Sequence, residues 1–178
     1  MGVDKALLEY HGLPLVEVAR RCLEAVGLSV RIVADSAERF KNLKLPVVVD
    51  RVSHVGPLAG IATALNASGS KDNYFIPCDT PLMSPRLYRV LGEASKSFDV
   101  VVPRDGQGRI HPLCAYYSRV AMAPIQNLLG KGIFKVDALL RFKNLQSHVL
   151  PATEFGISDL DFFNVNTLTQ WEHVKKRN

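Results

Sequence analysis

The hydrophobic positions along this chain change period repeatedly, and the changes predict strands alternating with helices. Pro14 opens a segment whose apolar residues Val16, Ala19, Cys22, Leu23 and Val26 recur at helical spacing and stop at Gly27, so a helix is expected there. Val30 to Ala34 reads as a buried strand, Ser36 to Lys41 as a short helix, and Pro46 to Val49 as a second strand ending in Asp50. Beyond the loop Arg51 to Val55, the turn Gly56-Pro57-Leu58-Ala59-Gly60 feeds an alanine-rich helix to about Ala67. The apolar, β-rich run Tyr74 to Cys78 ends abruptly at Asp79, ahead of Pro81 and Pro85. Ser84 caps and Pro85 opens a helix to about Ser97, and Asp99 to Pro103 is a strand. Arg104 to Arg109 is rich in turn residues and Ile110 to Tyr117 returns as a strand, a pattern read as a ribbon at the sheet edge. Val120 to Leu129 and Phe134 to Phe142 are helical, Ser147 to Leu150 is a strand, and Thr167 caps a last helix containing Trp171.

Such alternation implies an α/β fold with a mainly parallel sheet covered by helices on both faces. At 178 residues and 47% hydrophobic, the chain can bury one core, so a single domain over residues 1–178 is expected. No apolar run approaches the roughly 20 residues of a membrane span. Asp4 and Lys5 stand where a signal peptide would build its apolar region, so a soluble, cytoplasmic protein with no membrane contact is expected. Cys22, Cys78 and Cys114 are odd in number and widely spaced, which argues for buried thiols rather than disulfides or a zinc site. The net charge is +5, but the one dense basic run, Lys175-Lys176-Arg177, reads as a solvated tail, and nucleic acid is not an expected partner.

Candidate chemistry starts from Asp79. A strand that stops there delivers the carboxylate to the carboxyl end of a sheet, where α/β folds bind ligands and where a hard divalent cation can be held against phosphates. Asp79 is thus a candidate metal ligand; the competing reading is a helix cap. Gly56-Pro57-Leu58 at a helix start could lie close to a neighbour or an anion, and equally could be a plain helix start. Asp50 fits either a site or a turn after a strand.

Five spaced elements point the same way: Gly2-Val3-Asp4-Lys5-Ala6-Leu7-Leu8, Gly56-Pro57-Leu58-Ala59-Gly60, Pro77-Cys78-Asp79-Thr80-Pro81, His111-Pro112-Leu113 and Phe163-Asn164-Val165-Asn166-Thr167. In that order, over nearly the whole chain, they resemble the molybdenum cofactor guanylyltransferase family. The resemblance implies a Rossmann-like three-layer nucleotidyltransferase with a small antiparallel ribbon. It further implies transfer of GMP from GTP to the terminal phosphate of molybdopterin, with release of pyrophosphate. In the family, the aspartate matching Asp79 binds Mg²⁺, the lysine matching Lys5 contacts the triphosphate, and Asp50, Gly56, Pro57 and Leu58 fall in the nucleotide site. His111, Asn164 and Asn166 are matched to pterin-side contact or to holding the site. GTP, molybdopterin and other molybdenum cofactor proteins or apo-molybdoenzymes are the implied partners.

The family pattern departs from this chain in two places. It begins upstream of the residue matching Met1, with a strand and a glycine-rich loop, so the domain is expected to lack that first strand and its phosphate-cradling amides. At Val33-Ala34-Asp35, some members carry an asparagine facing the nucleotide, which Ala34 cannot replace. Plainer readings stand beside the family roles: Lys5 as a surface lysine, His111 as a packed histidine before Pro112, and Asn164 and Asn166 as turn residues. Arg104 and Arg109 could gather an anionic phosphate or simply sit exposed in a turn. Rival activities are cytidylyl transfer to molybdopterin, transfer to sugar phosphates or isoprenoid or cobalamin precursors, and a non-catalytic binding protein of the same fold.

Overall fold

The computed structural model describes residues 4–50 and 56–176. The loop 51–55, Gly2 and Val3 of the first motif, and Arg177 of the basic tail lie outside the described residues.

The chain opens with a 3-10 turn, Lys5–Leu7, and a two-residue-stranded ribbon of β1 (Glu9–Tyr10) and β2 (Leu13–Pro14). The ribbon's turn places His11 and Gly12 at positive φ, 49° and 76°, as a tight hairpin with right-handed strand twist requires. Helix α1 (Leu15–Glu24) follows, then β3 (Ile32–Ala34), β4 (Val47–Val49), α2 (Pro57–Ser68) and β5 (Asp72–Tyr74). The second half contains α3 (Pro85–Ala94), β6 (Val100–Arg104), β7 (Tyr116–Ser118), α4 (Met122–Gly130), α5 (Val136–Leu140), β8 (Ser147–Pro151) and α6 (Leu168–Lys175).

The main sheet has the order β5-β7-β6-β8. β6 runs parallel to β8, and β7 enters antiparallel between β5 and β6. Successive side chains of β6 point to opposite faces, so Val101 joins the core beneath α1 and α3 while Val100 and Val102 join the core beneath α2, α4 and α5. All three valines are fully buried, each contributing about 1.5–3 kcal/mol. Helices therefore cover both faces, as the alternation of elements predicts.

A second, two-stranded sheet pairs β3 with β4 in parallel, Val33 opposite Val48. Its core is smaller, built of Ala6, Val16, Ile32 and Phe40. Among the described residues each of β3 and β5 is paired along one edge only, and both open edges line one cleft.

Several elements differ from their sequence patterns for identifiable reasons. The run Tyr74 to Cys78 leaves the ladder after Tyr74, with one further bond from the Phe75 amide to the Ala115 carbonyl at 2.9 Å, because its antiparallel partner diverges there. Ile110 to Tyr117 is not one edge strand. Pro112 has no amide to donate, the Cys114 amide closes a turn onto the His111 carbonyl at 3.0 Å, and only Tyr116–Ser118 enters the sheet, in its interior. The ribbon read at 104–117 is the antiparallel return of β7 onto β6, Val101 opposite Tyr116, with a further bridge between Arg104 and Ile110; it lies within the sheet rather than at its edge. Helices α1, α3 and α5 are shorter than their patterns, whereas the Ser84 and Thr167 caps form as expected, the latter a capping box with Gln170.

Candidate functional site

The cleft between the two sheets has a volume of about 1030 Å³. Val16, Ala19 and Leu23 of α1 and Gly60, Ala64 and Ser68 of α2 complete its walls. Asp50 and Gly56 reach it from the two-stranded side; Asp79, His111 and Asn164 reach it from the four-stranded side.

Asp79 ends the extended segment that follows β5, and its carbonyl accepts the Val165 amide at 2.8 Å, which stitches segment 164–166 beside it. Asn166 then accepts a hydrogen bond from the Lys5 Nζ at 2.6 Å. Three motifs far apart in sequence thus meet at one end of the cleft. Burial pushes the Asp79 carboxyl above its ordinary value, and the Lys5 ammonium pulls it only part of the way back. A carboxylate in that condition gains from a further cation.

Lys5 owes its position to Asp4. The Asp4 Oδ1 accepts the Ala6 amide at 3.1 Å and caps the 3-10 turn, while the Arg39 guanidinium, on both Asp4 oxygens at 2.7 and 2.8 Å, holds the carboxyl below the usual range. Arg39 also pairs with Asp35, four residues before it. Asp4 stands in the first family motif without a role of its own and Arg39 in none, although the i,i+4 spacing of Asp35 and Arg39 is a visible signal.

Asp50 is backed by α2: its Oδ1 accepts the Thr63 hydroxyl at 3.0 Å, and its amide donates to the Ala34 carbonyl at 2.7 Å. Gly56, at φ 135°, is a glycine for packing reasons, since an added Cβ would stand 2.8 Å from the Phe134 Cβ. Pro57 lines the cleft, but the Leu58 side chain does not; it is fully buried beneath α2. The Leu58 amide donates to the Phe134 carbonyl at 3.4 Å, so this helix start is closed against a protein neighbour rather than held open for an anion.

His111 is half-buried and stacked on Phe162, ring centroids 4.1 Å apart and planes 13° from parallel. Its Nε2 lies 2.9 Å from the Asp105 Oδ2. Burial works to raise the Asp105 carboxyl, but the hydrogen bonds from His111 and from the Arg109 and Gln107 amides outweigh it and leave the group below its ordinary value. Arg109 turns inward to Asp105 and Gln107 at 3.3 and 2.9 Å, which gives it a structural partner within its own turn.

The thiols carry no nucleophile. Burial pushes Cys22 up to about 12 and Cys78 up to about 11, and raises Cys114 as well, so all three are protonated at neutral pH. Among the described residues no three His, Cys, Asp or Glu side chains cluster as a metal cage. Also among them, no helix is long and apolar enough to cross a membrane.

Residues 1–147 match the family of the MobA-like NTP transferase domain. A relative from Pelotomaculum thermopropionicum, named "Probable molybdenum cofactor guanylyltransferase", is 34% identical over 172 residues, 94% of this chain and 82% of the relative. One of the same name from Carboxydothermus hydrogenoformans is 35% identical over 180 residues, 99% of this chain and 89% of the relative. Among solved structures, a molybdopterin-guanine dinucleotide biosynthesis protein A from Archaeoglobus fulgidus shares the fold with a TM-score of 0.78 at 23% identity, covering 98% of this chain and 90% of that one. The matched family, the identities and the meeting of Lys5, Asp79 and Asn166 in space agree, and the chain belongs to the MobA-like NTP transferases.

Proposed function

We propose that this protein is a molybdenum cofactor guanylyltransferase that transfers GMP from GTP to the terminal phosphate of molybdopterin and releases pyrophosphate. The observation that carries the reading is the junction of Lys5, Asn166 and the half-buried Asp79 at one end of the cleft between the two sheets. The names of the relatives supply the substrates.

Nucleotidyl transfer brings one anionic phosphate onto the α-phosphorus of another, so positioning and charge neutralisation dominate and no protein nucleophile is needed. The protonated thiols fit that requirement. Lys5, oriented by Asn166, places a compact positive charge where the triphosphate would lie. Asp50, braced by Thr63, and the Gly56-Pro57 turn form the opposite wall of the nucleotide site. Asp79 fits Mg²⁺: it is a single oxygen donor in want of a cation, and this ion characteristically takes one or two carboxylates plus water and substrate phosphates rather than a protein cage. When bound there, Mg²⁺ supplies neutralisation of the phosphate oxygens. The expected central strand and its phosphate loop have a place in the slot between β3 and β5, whose facing edges such a strand would pair.

The test is calorimetric titration with GTP, CTP and ATP, with and without Mg²⁺, on this chain and on a version extended upstream by a strand and a glycine-rich loop. GTP-selective binding strengthened by Mg²⁺, in either version, supports the reading. Preference for CTP moves it to the cytidylyl branch, and loss of all nucleotide binding in both versions points to a non-catalytic binding protein.

A further inference from the structure

We infer that Asp105 is a positioning residue for the reaction, fixing the His111 ring so that Nδ1 is the nitrogen offered to the acceptor's phosphate monoester. The inference rests on the proposed nucleotidyl transfer and assigns a role to a residue outside the cleft. Asp105 is a buried carboxylate, its side chain 1% exposed, and its two oxygens do separate work. Oδ1 accepts the Gln107 and Arg109 amides, both at 2.9 Å, and so holds the turn. Oδ2 faces His111 Nε2 at 2.9 Å and Arg109 Nε at 3.3 Å.

An ionised carboxylate only accepts hydrogen bonds, so the Nε2 of His111 must carry a hydrogen. One face of the ring is covered by Phe162. His111 lines the cleft, and among the described residues no hydrogen bond engages its Nδ1. His111 comes from the four-stranded half, as does the cleft-lining Asn164, across from Asp50. A phosphate monoester has a second pKa of about 6, so near neutrality one proton can lie between it and an imidazole nitrogen. With Asp105 behind the ring and the ring hydrogen on Nε2, Nδ1 is the hydrogen-free nitrogen that faces that proton. A carboxylate behind a working histidine is a recurrent device for fixing which nitrogen works.

Asp105→Asn separates the two jobs, because the amide keeps an oxygen for the turn but presents an NH₂ donor to His111. The ring is then expected to switch its hydrogen from Nε2 to Nδ1 in the neutral form, read directly from ¹⁵N shifts of the His111 side chain without any turnover. In transfer assays with molybdopterin as acceptor, the variant is expected to lose about 10-fold or more in kcat/KM for the acceptor while its affinity for GTP stays put. In a His111→Ala background, the same substitution should add almost nothing, since both changes remove one device. Unchanged ¹⁵N shifts, an unchanged acceptor kcat/KM, or a full additive loss in the His111→Ala background would each overturn the inference. If the shifts switch as expected but the unaltered protein transfers no nucleotide, the positional claim stands, and it is the proposed reaction that fails along with Asp105's part in it.

Discussion

Three consecutive valines occur twice in this chain, and the two copies meet different fates. Val100-Val101-Val102 in β6 are all fully buried, whereas Val47-Val48-Val49 in β4 are half-buried to exposed, with Val49 at 42%. The β4 partner, β3, shows the same condition, Val33 being 39% exposed. The local pattern is equally apolar, so the difference comes from the sheet. β6 has a strand on each side and helices above and below; β3 and β4 form a ladder by themselves whose inner edge opens on the cleft. The four-stranded half holds the larger core, and the candidate site lies at the seam between the halves.

The largest expected effect comes at that seam. Asp79→Asn should reduce Mg²⁺-dependent GMP transfer by about 100-fold or more. Because burial raises the pKa of Asp79, its ionised form opposes folding, so the stability this group contributes is present at low pH and lost as pH rises through the raised value. The substitution should therefore leave the thermal midpoint at neutral pH unchanged or higher; a large drop would show that Asp79 is a structural cap. Ligand binding carries the opposite sign, because it needs the ionised carboxylate: Mg²⁺-assisted GTP affinity should weaken as pH is lowered towards the Asp79 pKa, which lies above 3.8.

Next in size is a direct test of the two halves. Val101→Ala removes two buried methyl groups and should cost about 2 kcal/mol in urea unfolding, while Val33→Ala should cost under about 0.5 kcal/mol. Equal costs would mean that the cleft is closed in solution. Lys5→Met should weaken GTP binding about 10-fold, and Asn166→Ala, which frees the same ammonium from its brace, should do so by less. Arg39→Ala joins Val33→Ala at the small end, at most about 1 kcal/mol, since Asp4 and Arg39 are partly exposed. Arg39 holds Asp4 low, so the contribution of this pair is present above pH 3.8 and fades as pH falls below it.

Much of this could be read from the sequence because short-range rules decide it. Periodicity marks every major helix among the described residues, and their starts are signalled by the caps Ser84 and Thr167 and by Pro57 and Pro85 at first helical positions. Asp79 was legible for a similar reason, as an acidic residue ending an apolar run. What stayed hidden depends on partners distant in sequence. Nothing near Tyr116 says that its strand inserts between β5 and β6, and nothing near Thr63 says that it braces Asp50. Leu58 was placed with the nucleotide by its motif, yet the turn of α2 carries its side chain into the core. Asp105 looked like an ordinary turn residue because its second job, towards His111, appears only when the turn folds back over Phe162.

The paired open edges of β3 and β5 also set a clock. An amide held in a ladder with neighbours on both flanks, such as that of Val101, is released to solvent deuterium only when the whole core opens. The cleft-facing amides of β3 and β5 have no such gate. Deuterium should therefore enter β3 and β5, along the cleft, before it reaches β6 and β7, which have a strand on each side.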